Sequence, residues 1–203
     1  MLAKAHGVVF SRRVRVLARH LADMLPRNAT VLDVGAGDGM IARLVMDQRP
    51  DLTIRGVDVL ARETSHIPVT LFNGTTIPFG DREFDAAMMV DVLHHAEQQQ
   101  RLLSEMHRVV KRSIVIKDHV VQGLLARETL AFMDWVGNAR HGVSLPYAYW
   151  TPDQWKEAYT RAGLAVVARR DHLGLYPWPA SAVFERRLHF IAALERTSGA
   201  RSS

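Results

Sequence analysis

The chain of 203 residues holds no cysteine. Disulfide staples, thiolate catalysis and cysteine-built zinc sites are therefore excluded. No apolar run approaches the roughly 18 residues that a membrane-spanning helix needs. Met1–Phe10 also lacks the continuous apolar stretch of a secretion signal. A soluble, cytoplasmic protein without membrane insertion is expected. Internal repeats and low-complexity tracts are missing. So are the Gly-Lys-Ser/Thr ending of a nucleotide-phosphate loop and any His-x-x-x-His ligand pair.

What is present is an ordinary globular composition, 48% hydrophobic and 23% charged, enough for one domain with a core. Net charge is +5, which raises the question of nucleic acid or another anionic partner. The arginines are scattered, however. Tight groups occur at Arg12/Arg13/Arg15, Arg169/Arg170 and Arg186/Arg187, and such groups read as solvated faces.

Val14, Leu17, Ala18, Leu21 and Leu25 recur at helical spacing, which predicts a helix over 10–25 ended by Pro26. Strands are expected at 30–34, 53–59, 69–72, 84–90 and 113–116, with helices at 40–48 and 97–111. This alternation predicts βαβ units and a mostly parallel sheet covered on both faces. The rhythm breaks over 120–150, which carries Phe132, Trp135, Tyr147, Tyr149 and Trp150. It resumes at Thr151-Pro152-Asp153-Gln154, a capping box with proline at the first helical position. Gly163 suits that helix's end, and last strands are expected at 164–168 and 189–194.

The strongest signal is Val31-Leu32-Asp33-Val34-Gly35-Ala36-Gly37-Asp38-Gly39. A buried strand runs into three alternating glycines and then a helix. Glycine admits positive φ and lets a ligand approach the backbone. In open α/β sheets ligands bind at the carboxyl ends of the strands. A dinucleotide loop needs a small residue where this chain has Met40. Asp33 and Asp38 would also repel a pyrophosphate, whereas they attract a ligand carrying an amino group and a sulfonium centre. S-adenosylmethionine (SAM) fits better than a nicotinamide dinucleotide. Asp58 ends the next strand 19 positions after Gly39, the place for an acid that holds ribose hydroxyls.

The segments VLDVGAGDG (31–39), GVD (56–58), NGTTIPFGDREFD (73–85) and MMVDVLHH (88–95) resemble the successive motifs of class I SAM-dependent methyltransferases, most nearly the small-molecule type 11 branch. The likeness covers about residues 10–118. It implies an α/β, Rossmann-like three-layer sandwich with a seven-stranded, mostly parallel sheet whose last strand is antiparallel. It also implies a single domain over 1–203, with the N-terminal helix 10–25 and a substrate-lid insertion at 120–150. By the same resemblance Asp33 and the backbone of Gly35, Ala36 and Gly37 face the methionine part of SAM. Asp58 binds the ribose, Asn73 and Gly74 read the adenine edge, and Asp91 lies near the methionine part. The amide oxygen of Asn73 is expected to accept from the adenine amino group.

Methyl transfer needs alignment and exclusion of water, and for some acceptors a base. His94 and His95 follow Asp91, and Asp118 and His119 follow the 113–116 strand. His95 or His119 is the expected catalytic base or orienting group, with Asp118 as its partner. His94, Trp135, Tyr147 and Tyr149 are expected to contact the acceptor, with Asn138, Arg140 and His141 as further polar groups. No metal is expected, because adjacent histidines on one strand end rarely point at one ion. The leading expectation is an enzyme acting on a small molecule at oxygen, nitrogen or carbon. The alternatives are a SAM-binding module without transfer, and a nucleic-acid methyltransferase. Against the last stands the missing Asn/Asp-Pro-Pro-Tyr/Phe signature.

Overall fold

The computed structural model describes residues 2–138, 148–185 and 187–197. Tyr147, Arg140, His141 and Arg186, and the side chain of Asn138, lie outside the described residues. The chain opens with α1 (Leu2–Met24), which begins earlier than its apolar spacing suggested. Then follow β1 (Thr30–Val34), α2 (Met40–Gln48), β2 (Thr53–Asp58), β3 (Val69–Leu71) and β4 (Phe84–Val90). A 3-10 turn (Leu93–His95), α3 (Gln99–Val109) and β5 (Val110–His119) come next. The segment expected to form a lid holds α4 (Ala126–Asn138). The chain closes with α5 (Pro152–Arg161), β6 (Leu164–Arg170), α6 (Ser181–Phe184) and β7 (His189–Arg196).

The strands make one seven-stranded sheet in the order β3-β2-β1-β4-β5-β7-β6. Every neighbouring pair is parallel except those of β7, which runs antiparallel to β5 and β6. The expected architecture is thus the observed one. Successive strand residues go to opposite faces. Val31, Ala86, Met88, Val115 and Ile191 pack under α1 and α2 with Leu17, Leu21 and Val45. Leu32, Ala87, Met89, Ile114, Ile116 and Phe190 pack under α3 and α5 with Leu103, Met106 and Trp155. Burial on both faces explains the near-continuous apolar runs of the central strands.

Two local features differ from the sequence pattern. The expected helix to Lys111 stops at Val109, and β5 starts at the next residue. Val110 pairs with Phe84, and a β-branched valine suits that pleated position. At α5 the capping box is formed as expected: Gln154 N donates to Thr151 Oγ1 at 3.3 Å, and Thr151 N donates to Gln154 Oε1 at 2.8 Å.

The order of strands reverses direction between β1 and β4. Their carboxyl ends are therefore the crevice where such sheets take a ligand.

Candidate functional site

Just past β1 the chain turns through Gly35, Gly37 and Gly39, all with positive φ. Gly35 N donates to Val57 O at 2.8 Å, so the turn is fastened to the end of β2. A side chain at Gly35 would strike Val92, and one at Gly39 would strike Ile67. Gly37 differs: a Cβ there would meet nothing within 4 Å. Its backbone is the open lip of the loop. Gly37 N donates to Asp58 Oδ2 at 2.8 Å, and Leu60 N donates to Asp58 Oδ1 at 2.9 Å, which fixes the carboxylate beside that lip. A cavity of about 280 Å³ adjoins it, lined by Gly37, Leu60, Ala61 and Leu71 among others. A larger one of about 380 Å³ lies at the other end of the strands, beside Pro26 and Ser113, away from these groups.

Asp33 is 4% exposed. Among the described residues it has no cationic partner. Burial, and then the neighbouring Asp58 charge, push its pKa up to about 7. A buried carboxylate without a counter-ion is costly unless a positive group arrives. With the open lip at Gly37, this is the chemistry that a sulfonium amino acid satisfies, and the residues present fit SAM. Asn73 stands in the loop just past β3. Its Oδ1 accepts from Thr75 N, Thr75 Oγ1 and Thr76 N at 2.8–3.0 Å, so that oxygen is engaged by its own loop. Gly74, with φ 79, follows at the turn.

A second group of residues gathers at the ends of β4 and β5. Asp91 adopts φ 56 and its N–H donates to Lys117 O at 2.9 Å. Its carboxylate pairs with Arg13 of α1 and Lys117 of β5. Burial opposes ionisation, yet Lys117 and Arg13 hold Asp91 well below the usual range. Asp91 is therefore neutralised by protein cations, unlike Asp33. His119 Nδ1 lies 3.7 Å from the same carboxylate.

Asp118, fully buried, accepts from Leu93 N at 3.1 Å and His119 N at 2.7 Å, and lies 2.6 Å from His94 Nδ1. Burial works against charge on His94, but Asp118 and then Asp134 hold its pKa up, to about 10. His95 is half-buried, and burial followed by the charge of His94 pushes its pKa down to about 4. His119 is buried and its pKa is lowered by burial and then by Lys117. Asp118 also lies 3.6 Å from His119 Nδ1, so its carboxylate faces both histidines and is nearer to His94. Asp118 and His119 are sealed from solvent, while His95 is partly exposed.

Tyr149 is buried, and its hydroxyl donates to Asp134 of α4. Trp135, one residue on, is 57% exposed. Sequence reasoning passed over Lys117, Asp134 and His189, all buried polar residues of this group. Lys117 carried a signal, as the first of three ionisable residues closing an apolar strand. His189 sits opposite His119 in the antiparallel register, a pairing invisible along the chain. Asp134 shares a helix face with buried Leu130, four positions before it.

With this geometry in view, the chain belongs to the methyltransferase domain family, which it matches over residues 9–169. That family and the fold place it among the class I SAM-dependent methyltransferases, with the type 11 branch fitting, and SAM is the cofactor of that class. A demethylmenaquinone methyltransferase of Thermotoga maritima is 34% identical over 89 residues, 40% of this chain and 39% of its own. The chain spans 55% and 39% of the length of the curated relatives it matches. A putative methyltransferase in complex with the Haloferax volcanii Trm112 activator shares the fold with TM-score 0.70 at 18% identity, covering 92% of this chain and 91% of that one. Burkholderia thailandensis 1,6-didemethyltoxoflavin-N1-methyltransferase, solved with 1,6-didemethyltoxoflavin and S-adenosylhomocysteine, shares it with TM-score 0.65 at 17% identity, covering 91% and 78%. Among the described residues no helix is long and apolar enough to cross a membrane.

Proposed function

We propose that this protein is a cytoplasmic enzyme that moves the methyl group of SAM to a small-molecule acceptor. The observation that carries the reading is Asp33, a buried carboxylate with no cationic partner among the described residues, near the open backbone of Gly37. Asp33 and the backbone of Gly35, Ala36 and Gly37 would hold the methionine part. Asp58 would take the ribose, and Asn73 and Gly74 the adenine edge. The acceptor would enter at the rim near His95, under the helix that bears Trp135, within a single domain in which 120–150 serves as lid.

SAM supplies a methyl group already activated on a sulfonium centre, so the protein's task is alignment and exclusion of water. Asp118 and His119 act as positioning residues: Asp118 grips the turn that carries His94 and His95 through Leu93 N and His94 Nδ1. His95 is the residue that faces the acceptor. Tyr149 steadies the wall through Asp134. Two relatives named for small acceptors, demethylmenaquinone and 1,6-didemethyltoxoflavin, support that substrate class. Dispersed, paired arginines speak against nucleic acid: Arg43, Arg49, Arg108, Arg161, Arg169 and Arg170 each face a carboxylate.

Calorimetric titration with SAM and S-adenosylhomocysteine tests the cofactor site. Incubation of the protein with methyl-labelled SAM and fractionated metabolites then tests transfer. Uptake of a nicotinamide nucleotide with no affinity for SAM would refute the reading. Tight SAM binding with no labelled product from any fraction would replace the enzyme by a binding module.

A further inference from the structure

Two ring nitrogens are buried without a hydrogen-bond partner among the described residues, His94 Nε2 and His95 Nδ1. Both belong to one small constellation. His94 Nε2 lies 3.4 Å from Asp134 Oδ2, and one donor atom each from His94, His95 and Asp134 fall within 4.8 Å of one another. A buried polar atom without a partner is costly. Two of them beside a carboxylate share one remedy, a common positive guest.

We infer that His94 Nε2, His95 Nδ1 and a carboxylate oxygen of Asp134 form a site for one divalent transition-metal ion of the zinc type. Two nitrogens and an oxygen suit zinc or its first-row neighbours. Ligands held at ~2.1 Å in a tetrahedron stand about 3.4 Å apart, the separation already present between His94 and Asp134. Three protein ligands leave a fourth position for water or an acceptor oxygen.

The outer contacts agree. His94 Nδ1 is 2.6 Å from Asp118 Oδ1, so one ring hydrogen goes to Asp118, and Nε2 presents a lone pair once the ion displaces its proton to solvent. Tyr149 holds Asp134 in the same way. The neighbouring histidines meet one ion because they use different nitrogens, Nε2 of one and Nδ1 of the next. That arrangement was not foreseen in the sequence argument against adjacent ligands. The other nearby trio, His94 with Asp118 and His119, is less apt, since Asp118 already accepts two backbone N–H groups.

A proton on His94 is the competing occupant. It would leave His95 Nδ1 unpartnered, and at 3.4 Å the contact of His94 Nε2 with Asp134 is long for the hydrogen bond such a proton would make. An ion satisfies all three groups together. Its use, binding an acceptor oxygen and easing loss of its proton, rests on the transfer reading above; its binding does not.

Tag-free protein stripped with a chelator is titrated with Zn²⁺ alone, and then with Co²⁺, whose visible absorption reports coordination. One equivalent per chain is expected. Affinity should fall at least about 100-fold in His95→Ala and Asp134→Ala, and about 10–100-fold in Asp118→Asn. The surface variant His172→Ala should bind as the parent does. Where an alanine variant does not fold, His95→Gln and Asp134→Asn read the same loss. SAM titration of the same metal-free samples separates the two readings. SAM binding without Zn²⁺ binding overturns the ion and leaves transfer standing, and Zn²⁺ binding without SAM binding does the reverse. Zn²⁺ affinity unchanged in both His95 and Asp134 variants also overturns the site. So does an imidazolium nitrogen signal at His94 that persists in saturating Zn²⁺.

Discussion

Replacing Asp33 by asparagine keeps the shape of the side chain and removes its charge. In the folded, ligand-free protein burial and Asp58 push the Asp33 pKa up from 3.8 to about 7. An acid whose folded pKa exceeds its unfolded value holds its proton longer when folded. Between pH 3.8 and about 7 the folded state therefore binds more protons, and stability falls as pH rises through that window. The full shift is worth roughly 4 kcal/mol at about 1.36 kcal/mol per unit. Asp33→Asn should escape this loss. From pH 4 to pH 8 the variant should gain roughly 4 kcal/mol relative to the parent, about 10 °C in Tm for a domain of this size. SAM should reverse the balance. Its cationic groups favour the ionised carboxylate, so binding to the parent releases a proton and weakens about tenfold per pH unit below 7. The variant should bind SAM more weakly at pH 8 and show no such slope. Thermal unfolding without ligand from pH 4 to 8 and calorimetry with SAM from pH 5.5 to 8 read the two effects. Parallel pH profiles for parent and variant in either measurement would refute the assignment of a lone buried charge to Asp33.

Three further outcomes are expected. Gly35→Ala forces a Cβ to within 2.3 Å of Val92 and should cost about 2–4 kcal/mol in urea unfolding. Gly37→Ala meets open space, so it should cost only the about 1–2 kcal/mol of left-handed backbone while sharply reducing SAM affinity. Lys117→Met strips one of two cations from half-buried Asp91 and should cost at most about 3–5 kcal/mol, read by the same unfolding assay. Trp135→Ala, at an exposed position, should leave stability within about 0.5 kcal/mol and raise KM for the acceptor, with SAM affinity unchanged.

The sheet was legible because its signals are local: apolar runs, three glycines and an acid at the next strand end all lie within a few dozen residues. The capping box at Thr151 was legible for the same reason. The helix–strand boundary at Val109/Val110 was not, since the apolar spacing of α3 runs on into β5 and only pairing with Phe84 decides it. Asp91 was placed correctly at its strand end, but its partners were hidden. Arg13 lies 78 positions away, and nothing near either residue announces the pair. The bonds from Thr75 and Thr76 to Asn73 Oδ1 were not foreseen, although an asparagine that opens Asn-Gly-Thr-Thr commonly closes such a turn. Asp134 was overlooked between Phe132 and Trp135, the large aromatics of its segment. Its relevance comes from the turn at His94 and His95, which meets it only in three dimensions.

The reach of Arg13 to Asp91 makes the first helix part of the proposed site's rim. A shortened version starting beyond that arginine would still carry every glycine and acid of the nucleotide loop. It would nevertheless present a different electrostatic landscape to an incoming acceptor, with one positive charge fewer beside a half-buried carboxylate. Constructing minimal or chimeric versions of this fold by trimming at the first strand would thus alter chemistry at a distance, and loss of activity in them would say nothing about the loop itself.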